Sequence, residues 1–441
     1  MVRYALFAAA SVAFLLNTNP ALASNDIKLL QQQIAAMKQD YEQRILALET
    51  GLIKAQQAAQ STTIITPLAK SNNPARRQNN FNPTISFVLD GRYTSLSNAS
   101  DDYHLPGFAL NDEAGLDQAG FSVGESELVI SSNVDDRFYA EATLAFSGDE
   151  MSVEEVFFQT LNLADGLTLK AGRFFSDIGY LNAQHAHVWD FADAPLIYRG
   201  LFGNQLSNDG LQATYIVPSD IFFQLGLELA NGDSFPAARN REGVGSWSAF
   251  INIGDDIGIE HSWQLGLNHW QAGHINQRSS EGLVDAYAFS GKSRINGIDW
   301  VYKWAPNGNP KNRHLKLQFE YFERQEKGQI NLLTNTADFN GKQSGWYAQA
   351  VYKFLPAWRS ALRFDSLDSD NDGSNLPLLA DAGLLTYGHT PQRLSAMLEW
   401  IPSEFSRIRL QLNHDKSYND TDNQLFLQYT FAIGSHTGHS Y

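Results

Sequence analysis

Residues 424–434 read QLFLQYTFAIG, and their side chains alternate between two kinds of surface. One face is apolar throughout and carries Leu425, Leu427, Tyr429, Phe431 and Ile433. The opposite face is mixed and carries Phe426, Gln428, Thr430 and Ala432. A period of two is typical of a β-strand, because successive side chains point to opposite sides of a sheet. This stretch therefore predicts a strand between an apolar and a more polar environment.

The same alternation recurs upstream, in pieces of about ten residues separated by Gly, Asn, Asp and Pro. Ile408, Leu410 and Leu412 alternate with Arg407, Arg409 and Gln411, and we predict the first set outward and the second inward. Sixteen such strand cores can be placed. They lie at 82–94, 121–131, 137–146, 152–162, 167–175, 210–217, 221–230, 245–253, 260–270, 293–304, 312–323, 344–354, 358–366, 391–401, 405–414 and 423–433.

The lengths of the gaps between these strands indicate the architecture. Gaps after even-numbered strands are short, whereas most gaps after odd-numbered strands are long, at 95–120, 176–209, 231–244, 271–292, 324–343 and 367–390. Short turns on one rim and long loops on the other are typical of outer-membrane β-barrels. The sequence thus predicts an all-β, sixteen-stranded antiparallel transmembrane barrel over residues 81–441, wide enough for an aqueous channel.

The N-terminal 23 residues have the order of a secretory signal peptide. Arg3 supplies the positive charge, Ala5 to Leu16 the apolar stretch, and Ala21 to Ala23 a small-residue cleavage site. We therefore expect export, with residues 1–23 removed from the mature chain.

Residues 24–57 change to a helical period. Apolar residues recur at spacings of three and four, at Ile27, Leu30, Ile34, Met37, Tyr41, Ile45, Leu48 and Leu52. This narrow stripe predicts an α-helical coiled coil in the periplasm, and a single helix lying on the barrel is the alternative. Residues 58–80 lose the period, gain Pro, Ser and Asn, and are predicted to form a linker.

Composition excludes several classes of protein. With 27 Phe, 17 Tyr and 9 Trp among 441 residues, the chain is too aromatic to be disordered. After residue 23 no apolar run approaches the ~18–20 residues of a membrane-spanning helix. The absence of cysteine removes disulfides and thiolate chemistry. A net charge of −16 argues against nucleic acid as a partner.

Signal peptide, coiled coil and sixteen-stranded barrel together resemble a Gram-negative outer-membrane porin. The motif LKAGRFF at 169–175, followed by a long loop, resembles the phosphate-selective porins O and P and related substrate porins. The resemblance implies a homotrimer in the outer membrane, surrounded by lipid and lipopolysaccharide. The aromatic last strand suits recognition by the barrel-assembly machinery, and the even strand number places the C-terminus in the periplasm with the coiled coil.

The resemblance also implies that the loop after the fifth strand, 176–209, folds inward and narrows the channel. Asp190 and Asp193 would then project into the constriction. Inward positions of later strands supply an opposing basic wall of Lys353, Arg363, Arg393, Arg407 and Arg409. Acidic loop and basic wall would create a transverse field across the pore, and ordinary wetted lumen residues are the alternative. An acidic loop departs from the phosphate-selective pattern, which needs rings of Arg and Lys.

Three groups of residues have the chemistry of metal ligands. His185 and His187 with Asp190 form a possible zinc site, although hydrogen-bonded loop histidines are the alternative. Asp368, Asp370 and Asp372 precede Gly373 and match the first half of a calcium loop, or form a polar turn. His436 and His439 in the terminal tail are a third candidate.

We therefore expect a passive diffusion channel for small hydrophilic solutes that requires no cofactor. The alternative is an outer-membrane receptor, or a protein for metal uptake and binding, whose acidic and histidine-rich loops hold zinc or calcium. No catalytic motif is present in the sequence, so we do not expect an enzyme.

Overall fold

The computed structural model describes residues 83–434, apart from 101–102, 112–113, 117, 149, 239–242 and 419. The predicted signal peptide, coiled coil and linker, and the tail with His436 and His439, lie outside the described residues. Among the described residues, no helix is long and apolar enough to cross a membrane.

The described residues form one antiparallel sheet of seventeen strand segments. These are β1 (Thr84–Ser95), β2 (Gly120–Val123), β3 (Ser126–Asn133), β4 (Phe138–Ser147), β5 (Glu150–Thr160), β6 (Leu167–Phe175), β7 (Ser207–Ile216), β8 (Phe222–Ala230), β9 (Ser246–Ile257), β10 (His261–Ser280), β11 (Tyr287–Trp304), β12 (His314–Leu332), β13 (Asn335–Leu355), β14 (Trp358–Gly373), β15 (Gln392–Ser403), β16 (Ser406–Lys416) and β17 (Asp422–Gly434).

The sheet closes into a barrel of sixteen strands. β2 and β3 both pair with β1 and are two parts of one barrel strand, interrupted at Gly124 and Glu125. β1 pairs antiparallel with β17, from Ser86 opposite Gly434 to Ser95 opposite Leu425, so the described sheet has no free edge. The predicted sixteen-stranded antiparallel barrel is confirmed.

Side chains alternate across the barrel wall as the sequence pattern predicts. In β17 the outward Leu427, Tyr429 and Ile433 are exposed, whereas the inward Gln428 and Thr430 are buried. Leu, Ile and Val side chains are exposed on the outer face of many neighbouring strands. A continuous apolar face of this kind is stable only when lipid or another apolar surface covers it. The polar residues that would be unfavourable there lie inside the barrel.

Two predicted long loops, 271–292 and 324–343, are mostly strand. β10 and β11 continue to a turn at 281–286, and β12 and β13 continue until Leu332 pairs with Asn335. The predicted strands end where the outward apolar residues end. Beyond that point the strands keep their alternation with charged residues on both faces: Arg324 and Glu326 are buried inside, and Lys327 is exposed outside.

Loops from the long-loop rim enter the barrel and build a second core there. They carry two helices, α1 (Leu196–Phe202) and α2 (Leu376–Asp381), and 3₁₀ turns occur at Ala186–Val188 and, on the short-turn rim, at Pro306–Gly308. Leu196, Tyr198 and Phe202 pack with inward-facing Phe322 and Tyr347 of the wall. This side of the barrel is therefore filled with protein.

Candidate functional site

Residues 176–206, which we call the inner segment, connect β6 to β7 and lie inside the barrel. The segment is fixed where it leaves β6, because Glu228 of β8 accepts hydrogen bonds from the Ser176 hydroxyl and from the Asp177 backbone N–H at 2.9 Å. Asn182 then bridges to Ser176 and Leu206, and so ties the beginning of the segment to its end. The predicted loop 176–209 extends to residue 206, where β7 begins at Ser207.

Asp193 is the most heavily bonded side chain of the inner segment. Its carboxylate accepts from Arg363 of β14 and Arg393 of β15, each at 2.7 Å, and from the amides of Gln411 and Asn413 in β16. Burial alone would raise the pKa of Asp193, but Arg393 and Arg363 lower it below the ordinary aspartate range. Asp193 is therefore an ionised anchor.

Asp190 makes a second anchor nearer the short-turn rim. It pairs with Arg359 of β14 at 2.9 Å and with Lys316 of β12, and the amide of Gln349 donates to it at 2.9 Å. Burial alone would raise the pKa of Asp190, but Lys316 and Arg359 lower it to about 2.

The predicted basic wall holds the backbone of the segment as well as its carboxylates. Arg409 donates to the Trp189 carbonyl at 2.7 Å, Arg393 to the Ala194 carbonyl at 2.7 Å, and Arg407 to the His187 carbonyl. Arg363 donates to the Asp193 carbonyl at 2.9 Å and lies over the Phe191 ring. Lys353 differs, since it is half-buried beside Arg359 in the next strand and, among the described residues, contributes no bond of this kind.

This geometry corrects the predicted transverse field. The sequence analysis placed Asp190 and Asp193 across an aqueous gap from Arg363, Arg393, Arg407 and Arg409. The two carboxylates instead lie in direct contact with the wall, and their side chains are only about one-twentieth exposed. Opposite charges in direct contact largely cancel at a distance, so these pairs produce little field across the pore. Their contacts fix the segment to the wall instead. The sequence pattern showed the complementarity but not the contact.

Several anchors were not among the predicted site residues. Glu320 of β12 accepts from the backbone N–H groups of Tyr180 and Leu181 and from the Tyr198 hydroxyl, at 2.7–3.2 Å. Asp365 of β14 caps α1 by accepting from the Leu196 N–H at 2.9 Å. Both occupy inward positions, so the alternation marked them as lumen residues without indicating what they bind.

His185 and His187 face a different part of the wall, β3 to β5. His185 Nδ1 lies 3.1 Å from Glu154 and 3.2 Å from Glu127, and its Nε2 lies 2.9 Å from Glu155. His187 Nδ1 lies 2.6 Å from Glu127. Burial alone would lower the pKa of His185, but Glu127 together with hydrogen bonds to Glu154 and Glu155 raises it well above its ordinary value. Asp190 lies against other strands, beside Lys316 and Arg359, so the predicted set of His185, His187 and Asp190 does not come together at one point.

The predicted calcium loop at Asp368, Asp370 and Asp372 is part of β14. Its residues pair with Ser344, Lys342 and Asn340 of β13, and all three aspartates are exposed. In an extended strand, side chains two residues apart are separated by about 6.6–6.8 Å along one face. Their oxygens therefore cannot converge on one ion as those of a curled calcium loop do.

Two cavities border the inner segment. The larger has a volume of 1470 Å³ and lies between the segment and the wall from β1 to β7. Its charged lining consists of Arg92, Glu125, Glu150, Glu154, Arg173, Asp193, Arg199, Asp209, Asp233 and Arg278. The smaller, of 360 Å³, lies at the short-turn rim and is lined by Tyr180, Trp263, Lys303 and neighbouring residues. Free volume thus remains beside the inner segment, mainly toward β1 to β7.

Two solved structures of outer-membrane proteins are similar to the barrel. The fold is similar to that of the outer-membrane channel DcaP of Acinetobacter baumannii, with a TM-score of 0.51, 13% identity, and coverage of 80% of this chain and 97% of that chain. An anion-selective porin from Comamonas acidovorans aligns with a TM-score of 0.49 and 9% identity, over 80% and 99% of the two chains. The likeness to DcaP shows that the described residues share the barrel fold of that protein.

The sequence comparison gives the family. The chain is 30% identical over 395 residues to an uncharacterized protein of Aquifex aeolicus (strain VF5), covering 82% of this chain and 81% of that protein. The chain belongs to the same protein family as this relative. No family model matches the sequence.

Proposed function

We propose that the protein is an outer-membrane porin, a passive diffusion channel for small hydrophilic solutes, and that the inner segment forms its narrowest part. One observation carries this proposal: the segment is fixed to the filled wall at Asp190 and Asp193, and a 1470 Å³ cavity lies beside it. A channel needs a wide barrel and a fixed obstacle that leaves polar space, and these features supply both.

The lining of the cavity favours hydrated and positively charged solutes. Arg173 is neutralised by Asp209 at 2.6 Å, whereas Glu150 and Asp233 are exposed carboxylates at the cavity border. An excess of negative charge in a narrow, low-dielectric passage attracts cations and repels anions. We therefore propose a moderate cation preference, which also separates this chain from phosphate-selective channels.

The outer surface of the barrel indicates its surroundings. The apolar outer face suits the lipid and lipopolysaccharide of an outer membrane, and the aromatic strand β17 suits the barrel-assembly machinery. We propose a homotrimer with the C-terminus in the periplasm. Cross-linking and native mass measurement of the purified protein would test the trimer.

Reconstitution into planar bilayers tests the channel. Purified protein should produce stepwise conductance, and its reversal potential in a KCl gradient should show cation preference. Glu150→Gln should weaken that preference without changing the size of the steps much, because it removes one exposed charge and no anchor. A folded barrel that gave no conductance would contradict the proposal, and anion preference in the wild type would contradict the assigned lining.

The rival function is binding, as a receptor or metal-uptake protein. One specific observation favours it, namely the convergence of His185 with Glu127 and Glu154 beside the cavity. A barrel that seals the bilayer but retains metal would support that rival over the channel.

A further inference from the structure

Five glutamates converge on two histidines where the inner segment meets β3, β4 and β5. Glu127, Glu154 and His185 bring their ligand atoms within 4.8 Å of one another, as do Glu141, Glu155 and His185. Glu125 adjoins Glu154, and His187 adjoins Glu127. Carboxylates outnumber the imidazoles in a mostly buried place, and buried uncompensated negative charge is unfavourable. A cation bound among these carboxylates would reduce that unfavourable charge.

The geometry around His185 Nδ1 is the most specific feature of this cluster. This nitrogen faces Glu154 Oε2 at 3.1 Å and Glu127 Oε2 at 3.2 Å, but one nitrogen carries at most one proton and cannot donate fully to both oxygens. The Glu127 side chain is not exposed to solvent, and its Oε2 atom accepts no hydrogen bond of good geometry, even from His185 at 3.2 Å. A nitrogen and two oxygens thus point into one small space.

We propose that this space is a binding site for a divalent transition-metal ion of the zinc type, with His185 Nδ1, Glu127 Oε2 and Glu154 Oε2 as ligands. In a tetrahedral zinc site with bonds of about 2.0–2.1 Å, ligand atoms lie about 3.3–3.4 Å apart. The separations of 3.1 and 3.2 Å from Nδ1 need only a small adjustment to reach that value. A fourth position is left for water or a solute from the cavity.

Neighbouring groups already orient these ligands. His185 Nε2 lies 2.9 Å from Glu155, whose other oxygen accepts from the Phe175 N–H at 3.0 Å, so an Nε2–H bond leaves Nδ1 free to bind metal. His187 holds the other oxygen of Glu127 at 2.6 Å. A histidine ligand backed by a carboxylate, and a carboxylate ligand that is itself hydrogen-bonded, are the usual supports of a metal site.

A β-bulge explains how two consecutive glutamates reach the same site. In the pairing of β4 with β5, Thr143 is opposite Glu155 and Leu144 is opposite Val153, which leaves Glu154 as the extra residue. A bulge re-aims side chains that regular alternation would send to opposite faces. Both glutamates therefore face the interior, and Glu154 also borders the cavity through which an ion can enter.

The ligand set selects among ions. Calcium and magnesium prefer oxygen ligands alone, whereas imidazole nitrogen suits zinc and related transition metals. Bound metal would fasten His185 to β3 and β5, strands that carry none of the arginine anchors. This inference does not depend on the proposed channel, since a sealed barrel could hold the same ion.

Metal binding by the full-length protein tests the inference. The protein, carrying His436→Ala and His439→Ala to remove the tail histidines, is refolded in detergent and dialysed against Zn²⁺. Bound zinc is then measured by mass spectrometry and titration calorimetry. We expect one zinc per chain, no displacement by Ca²⁺ in excess, and tetrahedral Co²⁺ absorption when cobalt replaces zinc. Channel conductance is recorded on the same preparation, so that failure of one proposal is distinguishable from failure of the other.

Matched variants locate the ion. Glu154→Gln and His185→Asn should each weaken zinc binding by at least about tenfold, because each removes a ligand. Glu150→Gln is the control, since Glu150 lies on the same strand and borders the same cavity but is outside the cluster. Zinc affinity that is absent in the parent protein, or unchanged in both ligand variants, would overturn the site. An equal loss of zinc affinity in Glu150→Gln would show that zinc is attracted by general negative charge, and it would overturn the site as well.

Discussion

Replacing Asp193 by asparagine tests whether the inner segment is fixed by charge. The carboxylate of Asp193 receives four donors: Arg363 and Arg393 at 2.7 Å, Gln411 at 2.7 Å and Asn413 at 3.1 Å. Asparagine has nearly the same volume, but it removes the negative charge and one of the two accepting oxygens. The change therefore acts on the bonding of the segment and leaves its packing almost intact.

The expected magnitude follows from the burial of the group. Removing one partner of a buried ion pair costs about 3–5 kcal/mol, because the other charge is left uncompensated. We expect the lower end, about 3 kcal/mol, since Asp365 lies 3.1 Å from Arg363 and 3.5 Å from Arg393 and retains part of the compensation. At 1.4 kcal/mol per factor of ten, this shifts the local detachment equilibrium roughly 150-fold.

Single-channel recording measures this detachment. Asp193→Asn should add brief levels of higher conductance that the wild type shows far less often, because residues 190–194 leave the wall transiently. Asp233→Asn is the control of equal charge change, since Asp233 is exposed at the cavity border. Asn413→Ala removes one amide donor and should give a smaller effect of the same kind.

The result that would refute this reasoning is a conductance trace of Asp193→Asn that matches that of Asp233→Asn. Barrel folding is checked separately by heat-modifiable migration on gels. If Asp193→Asn fails to fold, Asn413→Ala still decides the question, because it weakens the same anchor without leaving a charge unpaired. Unchanged protease resistance of the inner segment in both variants would also count against the anchor.

Three further outcomes follow from the same geometry. Burial alone would raise the pKa of Asp190, but Lys316 and Arg359 lower it to about 2. The stabilisation that ionised Asp190 provides is therefore present above about pH 4 and is lost as pH falls toward 2, so the protease resistance of the inner segment should stay constant down to about pH 4 and fall below it. Arg393→Lys should weaken the anchor by about 1.5–3 kcal/mol, seen as faster proteolysis of the segment, because an ammonium cannot serve both Asp193 and the Ala194 carbonyl in the planar geometry of guanidinium. Gly179→Ala should destabilise the segment by about 1–3 kcal/mol in thermal unfolding, because Gly179 has a φ of +76° and a Cβ there would lie 2.6 Å from Glu320.

The barrel could be predicted because the alternation of inward and outward side chains can be recognised within each strand. Alternation within β16 alone assigned Arg407 and Arg409 to the inside and Leu410 to the outside, and the structure agrees. The upper parts of β12 and β13 could not be recognised in this way. There the outward face is polar and the inward face mixes charged residues with apolar ones such as Ile330, so the contrast that reveals a strand is reversed or lost. The backbone pairing nevertheless continues from Glu323 to Leu332.

The contacts of the inner segment could be predicted only in part. An apolar loop with two aspartates and a set of inward arginines indicated complementarity, but Arg363 and Arg393 are 170 and 200 residues from Asp193 in the chain. Their meeting depends on how deeply the segment enters and which wall it follows. Glu154 was hidden for another reason, since its inward direction depends on a bulge that regular alternation does not contain.

Two of the attachments of the inner segment, at Asp193 and at His185, use different chemistry on different parts of the wall, and this predicts non-additive mutational effects. Asp193 binds the arginine wall, and His185 binds the glutamates of β3 and β5. While one attachment holds, release of the other remains local, because the tethered part stays at high effective concentration near its partners. His185→Ala in an otherwise native chain should therefore change conductance little, and Asp193→Asn should give only brief openings. Combined, they should give sustained high conductance, far beyond the sum of the single effects. Additive behaviour in this double-mutant cycle would mean that the two attachments restrain separate parts of the segment, each with its own effect on the channel.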